Sequence, residues 1–475
     1  MNSKIVIVAV AIVAICVIAA GAFILTGSEE ETHLDRDVVD VITNDPNRET
    51  ATADGRLWII GNANLDDVLD QKDIDWIQKI IDGKANEVLL SPELSEWSET
   101  ARMADANQDG VVNQEDIEKV KSMIASNKDS PKQKIYYIDV DGAVNSMHIP
   151  VSTVLSGYEQ NSKQLQTIHA LDMCVATDKT SHIRPYAAEI LKDVPYFSYT
   201  GTFNPDAEMI MGYNPDIIVT GTRQHYCKEL EQALPPNRTN MDIVRISSWE
   251  DGKTIEGTLT LGFMLGKTEE AMAYAEWADK WFGTINEKVS TLSQDQIVKV
   301  LSPRGAYDNW NIIMNGPRGG KYETTLLAGA DNIITRNLTS SSTNITVTDE
   351  WVKAQSDLDY IVAIVYGGLD NSSRHVNVDP VYPGGQDYNN KSFYDTAVEY
   401  WKSMTNAYGT EVHVIDNLVS QGTTYVIGAV YMAKWFYPDL FQDMDPDAIF
   451  QEFMDKFFQY DFNVAEFQAN GGIAI

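Results

Sequence analysis

The chain has 475 residues and a formal net charge of −33. This length exceeds that of one compact domain, so we expect two or three domains with sizeable cores. The negative charge argues against nucleic acid as a partner, because phosphate binding needs a basic surface. Beyond Cys16 only Cys174 and Cys227 remain, too few for a disulfide framework, although one bond between them stays open.

The first element is an uncharged, apolar run of 22 residues from Ile5 to Thr26. Its length suits a membrane-spanning helix and exceeds the apolar core usual in signal peptides, which favours a retained anchor over a cleaved signal. Lys4 before it and acidic residues after it place the later chain outside the membrane. We therefore expect an anchor or signal at 1–27 and an acidic, structureless linker at 28–55.

Two copies of one pattern follow, NANLDDVLDQKD at 62–73 and DANQDGVVNQED at 105–116. In both, oxygen-bearing side chains occupy loop positions 1, 3, 5, 9 and 12, a spacing that turns alternate side chains toward a calcium ion. Position 6 is Gly110 in the second loop but Asp67 in the first. The predicted calcium ligands are Asn62, Asn64, Asp66, Asp70 and Asp73, then Asp105, Asn107, Asp109, Asn113 and Asp116.

This loop pair resembles a dockerin, the calcium-binding module that docks to cohesin domains, over about residues 56–127. The resemblance implies a small all-α domain with calcium as its cofactor and a cohesin as its partner. Two features depart from the dockerin pattern: Asp67 replaces the usual glycine, and the separation between the loops is long. A calcium-stiffened spacer without any partner is the alternative.

Strand-like runs alternate with helical spans from residue 134 onward, which is typical of parallel α/β structure. The runs are IYYI, DMCVATD, VPYFSYT, DIIVTGT and DIVRISS in 134–253, and IVKVLSP, NIIMNG, YIVAIVYGG and EVHVID in 293–475. Between them, 254–292 contains no proline and should form two helices broken at Gly266-Lys267. The fold class is therefore α/β, with two Rossmann-like lobes joined by one long helix from Thr268, its predicted cap, to about Leu292.

Two stretches, 205–222 and 348–368, share one layout, in which a short helix with a Glu runs into a buried strand. Together with LGFMLGK at 261–267 and AKWFYPDLFQDMDPDAIFQEFMDKFF at 433–458, this layout resembles the helix-spanned (class III) substrate-binding proteins of ABC importers. That family includes receptors for iron-siderophores, haem and vitamin B12. The resemblance covers about residues 134–475.

The family resemblance implies that the chain captures a metal chelate between two lobes outside the cytoplasm, at the cell surface or in a periplasm-equivalent space. It implies delivery to an ABC permease with its ATPase. It also implies that Glu208 and Glu350 dock to basic pockets on the permease. A single stiff helix between the lobes predicts only small lobe movement when the ligand binds.

Ligands of open parallel sheets bind beyond the carboxyl ends of the strands, so the turns after the strands should line the cleft. Arginine makes paired hydrogen bonds to carboxylates, and aromatic rings stack on flat groups. Both suit a large, flat or chelated anion. The predicted ligand contacts are Arg184, Tyr199, Arg223, His225, Tyr226, Arg304, Tyr307, Trp310, Arg318 and Tyr366.

Other functions are less well supported by the sequence. It contains no nucleophile motif, Walker loop or dinucleotide fingerprint, so we expect no enzyme, no catalytic residue and no catalytic cofactor. The seven histidines are scattered, which disfavours direct metal coordination in the cleft. The alternative function is a cell-surface scaffold or adhesion protein that acts through dockerin–cohesin contacts.

Overall fold

A computed structural model describes the chain between residues 38 and 474, with gaps. The predicted anchor at 5–26 lies outside the described residues and stays a prediction. Within the described part, no helix is both long and apolar enough to cross a bilayer. The described residues are 38–41, 48–50, 55–90, 101–140, 142–182, 190–197, 206–220, 227–233, 241–249, 253–303, 312–317, 320–335, 344–365, 391–405, 409–469 and 473–474.

Residues 55–90 and 101–126 form a small module of two loop–helix copies. Helices α1 (Gln71–Ile81) and α2 (Gln114–Ile124) have 11 residues each and pack together. Each begins with a capping box, in which the N-cap side chain accepts a backbone N–H and an Asp three residues later accepts the N-cap N–H. The two copies are therefore alike in length, capping and packing.

The module is not all-α, contrary to the sequence prediction. Strands β1 (Val38–Val41), β2 (Glu87–Leu90) and β3 (Ala101–Arg102) form an antiparallel sheet in that order. The run VVDV is rich in β-branched residues, which favour strands, so this part of the expected linker pairs with β2. The long separation between the loops contains β2 and β3.

The predicted strand at 135–138 forms, but outside the parallel sheet. Strand β4 (Gln133–Ile138) and strand β5 (Val144–Ile149) make an antiparallel hairpin. Antiparallel strands can be joined by a tight turn, whereas parallel neighbours need a long crossover, and Gly142 provides positive φ at this turn. The small module is hydrogen-bonded to the edge of this hairpin, because Ile60 N donates to Tyr136 O of β4 at 2.9 Å.

The first lobe is a five-stranded parallel sheet in the order β10-β9-β6-β7-β8. All four residues of β9, an interior strand of this sheet, are buried, as expected for a parallel sheet covered on both faces. The strands are β6 (Val154–Ser156), β7 (Cys174–Asp178), β8 (Tyr196–Phe197), β9 (Ile217–Thr220) and β10 (Asp242–Arg245). The helices are α3 (Glu159–Thr167), α4 (Lys179–His182), α5 (Ala207–Tyr213) and α6 (Lys228–Ala233).

Two helices connect the lobes, as predicted. Helix α7 (Thr254–Met264) ends before Gly266, whose φ of +66° breaks the run, and helix α8 (Thr268–Val289) follows. The spanning helix α8 has 22 residues, about 33 Å at about 1.5 Å per residue. It stops three residues before the predicted end, and its N-cap is Lys267 rather than Thr268.

The second lobe has the sheet order β13-β11-β15-β16-β17, with β17 antiparallel at the edge. The predicted strand NIIMNG forms β12 (Ile312–Asn315), which pairs with β14 (Asn344–Val347) in a separate antiparallel ribbon. The remaining strands are β11 (Lys299–Leu301), β13 (Asp331–Asn332), β15 (Tyr360–Val365), β16 (Glu411–Asp416) and β17 (Ile473–Ala474). The helices are α9 (Gly320–Leu327), α10 (Asp349–Lys353), α11 (Lys391–Thr405), α12 (Tyr425–Phe436), α13 (Pro446–Phe453) and α14 (Val464–Ala469).

One buried hydrophobic cluster joins the module to both lobes. It contains Ile77 and Val120 of the module, Leu259 and Tyr274 of the connecting helices, and Phe453 near the C-terminus. A contiguous cluster of this kind marks one core. The small module therefore shares its core with the connecting helices and does not stand apart from the lobes.

Candidate functional site: the seam between the lobes

The lobes meet where strands β6 and β16 end, the edge at which open α/β sheets bind ligands. Helix α3 follows β6, and residues 417–424 follow β16 as two short 3₁₀ turns. We call helix α3 packed against 417–424 the seam. All nine residues of α3 are buried, although its sequence EQNSKQLQT is polar.

Lys163 joins the two sides of the seam. Its side chain is fully buried, and a buried ammonium is strongly unfavourable unless hydrogen bonds replace its hydration. Those bonds come from the opposite lobe. Lys163 Nζ lies 3.4 Å from Asn417 O, 3.2 Å from Leu418 O, 3.0 Å from Gln421 O and 3.4 Å from Thr424 Oγ1. The residue therefore holds the turn after β16 by its backbone carbonyls.

Three amide side chains of the seam have polar atoms without a hydrogen-bond partner among the described residues. They are Gln160 Oε1, Asn161 Oδ1 and both polar atoms of Asn417, on residues no more than 2% exposed. Native proteins leave few buried polar groups unpaired, and each costs about 1–3 kcal/mol. Violations of this rule concentrate at functional sites, which makes the seam the best candidate site.

An aromatic pair lies beside the seam. Tyr158 and Trp249 follow strands β6 and β10, and their ring centroids are 6.5 Å apart. Both rings are half-buried, and the Trp249 indole N–H has no acceptor among the described residues. Helix α9 of the second lobe comes close, because a Cβ at Gly320 would lie 2.0 Å from Trp249 O. Sequence reasoning missed both residues, although their positions directly after strands are a usable signal.

A chain of buried hydroxyls fixes the turns after β6 and β7. Ser156 Oγ lies 2.7 Å from Ser162 Oγ, which donates to Ser181 Oγ at 2.8 Å. Ser181 Oγ in turn donates to the Asp178 carboxylate. Hydrogen bonds within the first lobe therefore fix the first-lobe side of the site.

The ten predicted ligand contacts all lie outside the described residues and stay predictions. Cys174 and Cys227 are free and buried, so the open question of a bond between them is answered. Burial raises the pKa of Cys174 to about 12, which keeps this thiol protonated and unreactive.

Glu208 and Glu350 occupy equivalent places in the two lobes. Each is exposed at the second position of a short helix, α5 or α10, whose N-cap side chain accepts a backbone N–H. Strand β9 follows the first helix and lies beside β6, as β15 follows the second and lies beside β11. Hydrogen bonds from its own backbone N–H and from Thr348 lower the pKa of Glu350. Both carboxylates are therefore available to a partner.

The two predicted calcium loops have the same local structure. In each loop, the side-chain oxygens at positions 1 and 3 accept a hydrogen bond from the backbone N–H of position 5. The side chain at position 5 accepts from the backbone N–H of position 7, and the side chain at position 9 accepts from that of position 11. The carboxylate at position 12 accepts from the backbone N–H groups of positions 3 and 9. Position 4, Leu65 or Gln108, has positive φ in both loops. Burial raises the pKa of Asp73 to about 7.

Carboxylate and amide oxygens are the donors that calcium prefers, so the chemistry of both loops fits that ion. Nevertheless, no group of three or more His, Cys, Asp or Glu side chains in the described parts of the chain is arranged to hold a metal ion. Calcium binding thus stays a prediction.

Comparison with known proteins finds similarity in fold. A TroA-like periplasmic binding protein, FepB from Veillonella parvula, matches with a TM-score of 0.51 and 17% identity over 69% of this chain and 97% of that chain. An ABC transporter solute binding protein from Sulfurospirillum deleyianum DSM 6946 matches with a TM-score of 0.52 and 16% identity over 71% of this chain and 98% of that chain. No protein-family model and no curated protein matches.

These similarities show that the chain has the two-lobe α/β fold of periplasmic binding proteins. They give no support to the resemblance of residues 56–127 to a dockerin.

Proposed function

We propose that this protein is the extracytoplasmic substrate-binding protein of an ABC importer, and that it captures a metal chelate of the iron-siderophore, haem or cobalamin type. The observation that carries the proposal is the seam, where amide atoms without a hydrogen-bond partner among the described residues lie at the strand ends of two parallel sheets, with an aromatic pair beside them. The two-lobe fold shared with a solute binding protein supports it. Capture and release of a chelate need no covalent chemistry, so the proposed function is not enzymatic.

In this proposal Tyr158 and Trp249 stack on the flat part of the chelate. The predicted contacts Arg223 and Arg304 would neutralise its negative charge. Exposed Glu208 and Glu350 dock to the permease, and the segment 5–26 holds the receptor at the membrane surface.

Calorimetry tests the proposal directly. Haemin, cyanocobalamin and ferric desferrioxamine B are titrated into the full chain, and at least one is expected to bind. If none binds and none raises the melting temperature, the proposal is wrong.

Calcium in the two loops is a separate part of the proposal. Its support is the matched loop geometry, with carboxylate and amide oxygens at the five ligand positions. Calcium should raise the melting temperature, and Asp105→Ala with Asp116→Ala should remove part of that increase. An unchanged melting temperature on calcium addition would refute it.

The alternative, a scaffold acting through dockerin–cohesin contacts, is favoured only by the loops. Binding of a purified cohesin domain in the absence of any bound chelate would support it over the receptor.

A further inference from the structure

Arg56 lies between the small module and the spanning helix. Its backbone N–H donates to Asp67 Oδ1 at 2.8 Å, and its guanidinium also contacts that carboxylate. On the other side, Nη1 and Nη2 donate to Asp279 Oδ1 and Oδ2 of helix α8 at 2.7 and 2.8 Å. Paired bonds of this kind fix orientation as well as distance.

Asp67 occupies loop position 6, where the second loop has Gly110 with φ of +91°. Aspartate in place of glycine at this loop position therefore has a structural role, because the Asp67 side chain holds Arg56 in place. The arginine is only one-quarter exposed, so its contacts are partly shielded from water.

A second contact from the same segment reaches the other connecting helix. Trp58 N donates to Thr260 Oγ1 of helix α7 at 3.1 Å, and both residues are buried. The opposite side of α8 is held by the second lobe, where Tyr274 OH donates to Thr423 O at 2.9 Å. The connecting helices are thus held by hydrogen bonds from the small module on one side and from the second lobe on the other.

We propose that the small module is a brace, which acts through Arg56 and Asp67 on Asp279 to fix the spanning helix and with it the angle between the lobes. This role does not depend on what the cleft binds. It makes the module part of the receptor's working structure rather than a separate docking unit.

Electron paramagnetic resonance on the full chain tests the brace. Glu208→Cys and Glu350→Cys carry spin labels in a Cys16→Ser background, since Cys174 and Cys227 are buried. Arg56→Met should broaden the distribution of label-to-label distances. Lys121→Met, which removes an exposed ion pair within the module, is the matched control and should leave it unchanged.

Hydrogen exchange gives a second readout. In Arg56→Met, amides of α8 around Asp279 should exchange at least about ten-fold faster, equivalent to about 1.4 kcal/mol. Arg56→Lys should not restore the slow rate, because an ammonium cannot span both carboxylates. Asp279→Asn is the milder variant if Arg56→Met fails to fold. A distance distribution and exchange rates equal to those of the Lys121→Met control would overturn the proposal.

Discussion

His413 is a buried histidine that the fold keeps neutral. It is 3% exposed, and its ring stacks on Trp435 with centroids 4.5 Å apart. Burial and then the charge of Lys402 lower the pKa of His413 to about 4. Glu411 lies 3.5 Å away, but its carboxylate is mostly in solvent and does not offset burial.

Because the folded pKa lies below the unfolded value, the unfolded state binds the proton more readily, and stability is lost as pH falls from about 6.5 to about 4. The shift corresponds to about 3 kcal/mol, at about 1.4 kcal/mol for each pKa unit. Denaturant unfolding at pH 7 and pH 4 should show a smaller loss for His413→Phe than for the wild type. Equal losses would mean that His413 does not control this pH range.

Asn417 offers a test of the unpaired amides without any ligand. If its polar atoms lack partners, Asn417→Leu should leave the free energy of unfolding unchanged or raise it by about 1–3 kcal/mol. The matched control is Asn332, equally buried, which donates to Thr325 Oγ1 at 3.1 Å and accepts from Ile334 N. Asn332→Leu should destabilise; parallel losses in both variants would show that Asn417 is satisfied.

Among the secondary-structure elements, the two connecting helices differ in how closely their glycines pack against the rest of the protein. In α7, a Cβ at Gly257 would lie 1.7 Å from Ser247 O, so the helix packs directly on the backbone after β10. In α8, a Cβ at Gly283 would meet nothing within 4 Å. Gly283 is therefore a weak point of the helix without a packing role.

Gly283→Ala should stabilise the protein by about 0.5–1 kcal/mol, because alanine lowers the backbone entropy lost in a helix. Gly257→Ala should destabilise it by about 1–3 kcal/mol through the clash with Ser247. Thermal melts of the two variants check the opposite signs. A stabilising Gly257→Ala would contradict the close packing of α7.

Sequence reasoning succeeded where the signal is local. The break at Gly266 follows from glycine's tolerance of positive φ, and strands such as β15 follow from continuous apolar runs. It failed where long-range packing decides: the polar run EQNSKQLQT of α3 is typical of a solvated helix, yet both lobes enclose it. Likewise, the run VVDV forms a strand only because it pairs with β2, which its own sequence does not show. The core that the module shares with helix α7 also depends on contacts between distant parts of the chain.

At the scale of the whole molecule, the lobes are held by more than the spanning helix. Lys163 in α3 and the aromatic contacts of Tyr274 and Trp277 with Phe457 add restraints at separate places. We therefore expect small lobe movement. Small-angle X-ray scattering with and without a bound chelate should give radii of gyration within about 1 Å, whereas a large change would show that these contacts open.

In the proposed function, a chelate binds between the lobes, beside the seam. The most direct measurement is calorimetric affinity for the chelate that binds best, in the wild type and in Trp249→Ala, with Tyr196→Ala as an exposed aromatic control. We predict that Trp249→Ala weakens binding by up to about ten-fold, on the scale of about 0.5–1.5 kcal/mol for aromatic contacts, while the control binds normally. Equal affinity in all three proteins would contradict the claim.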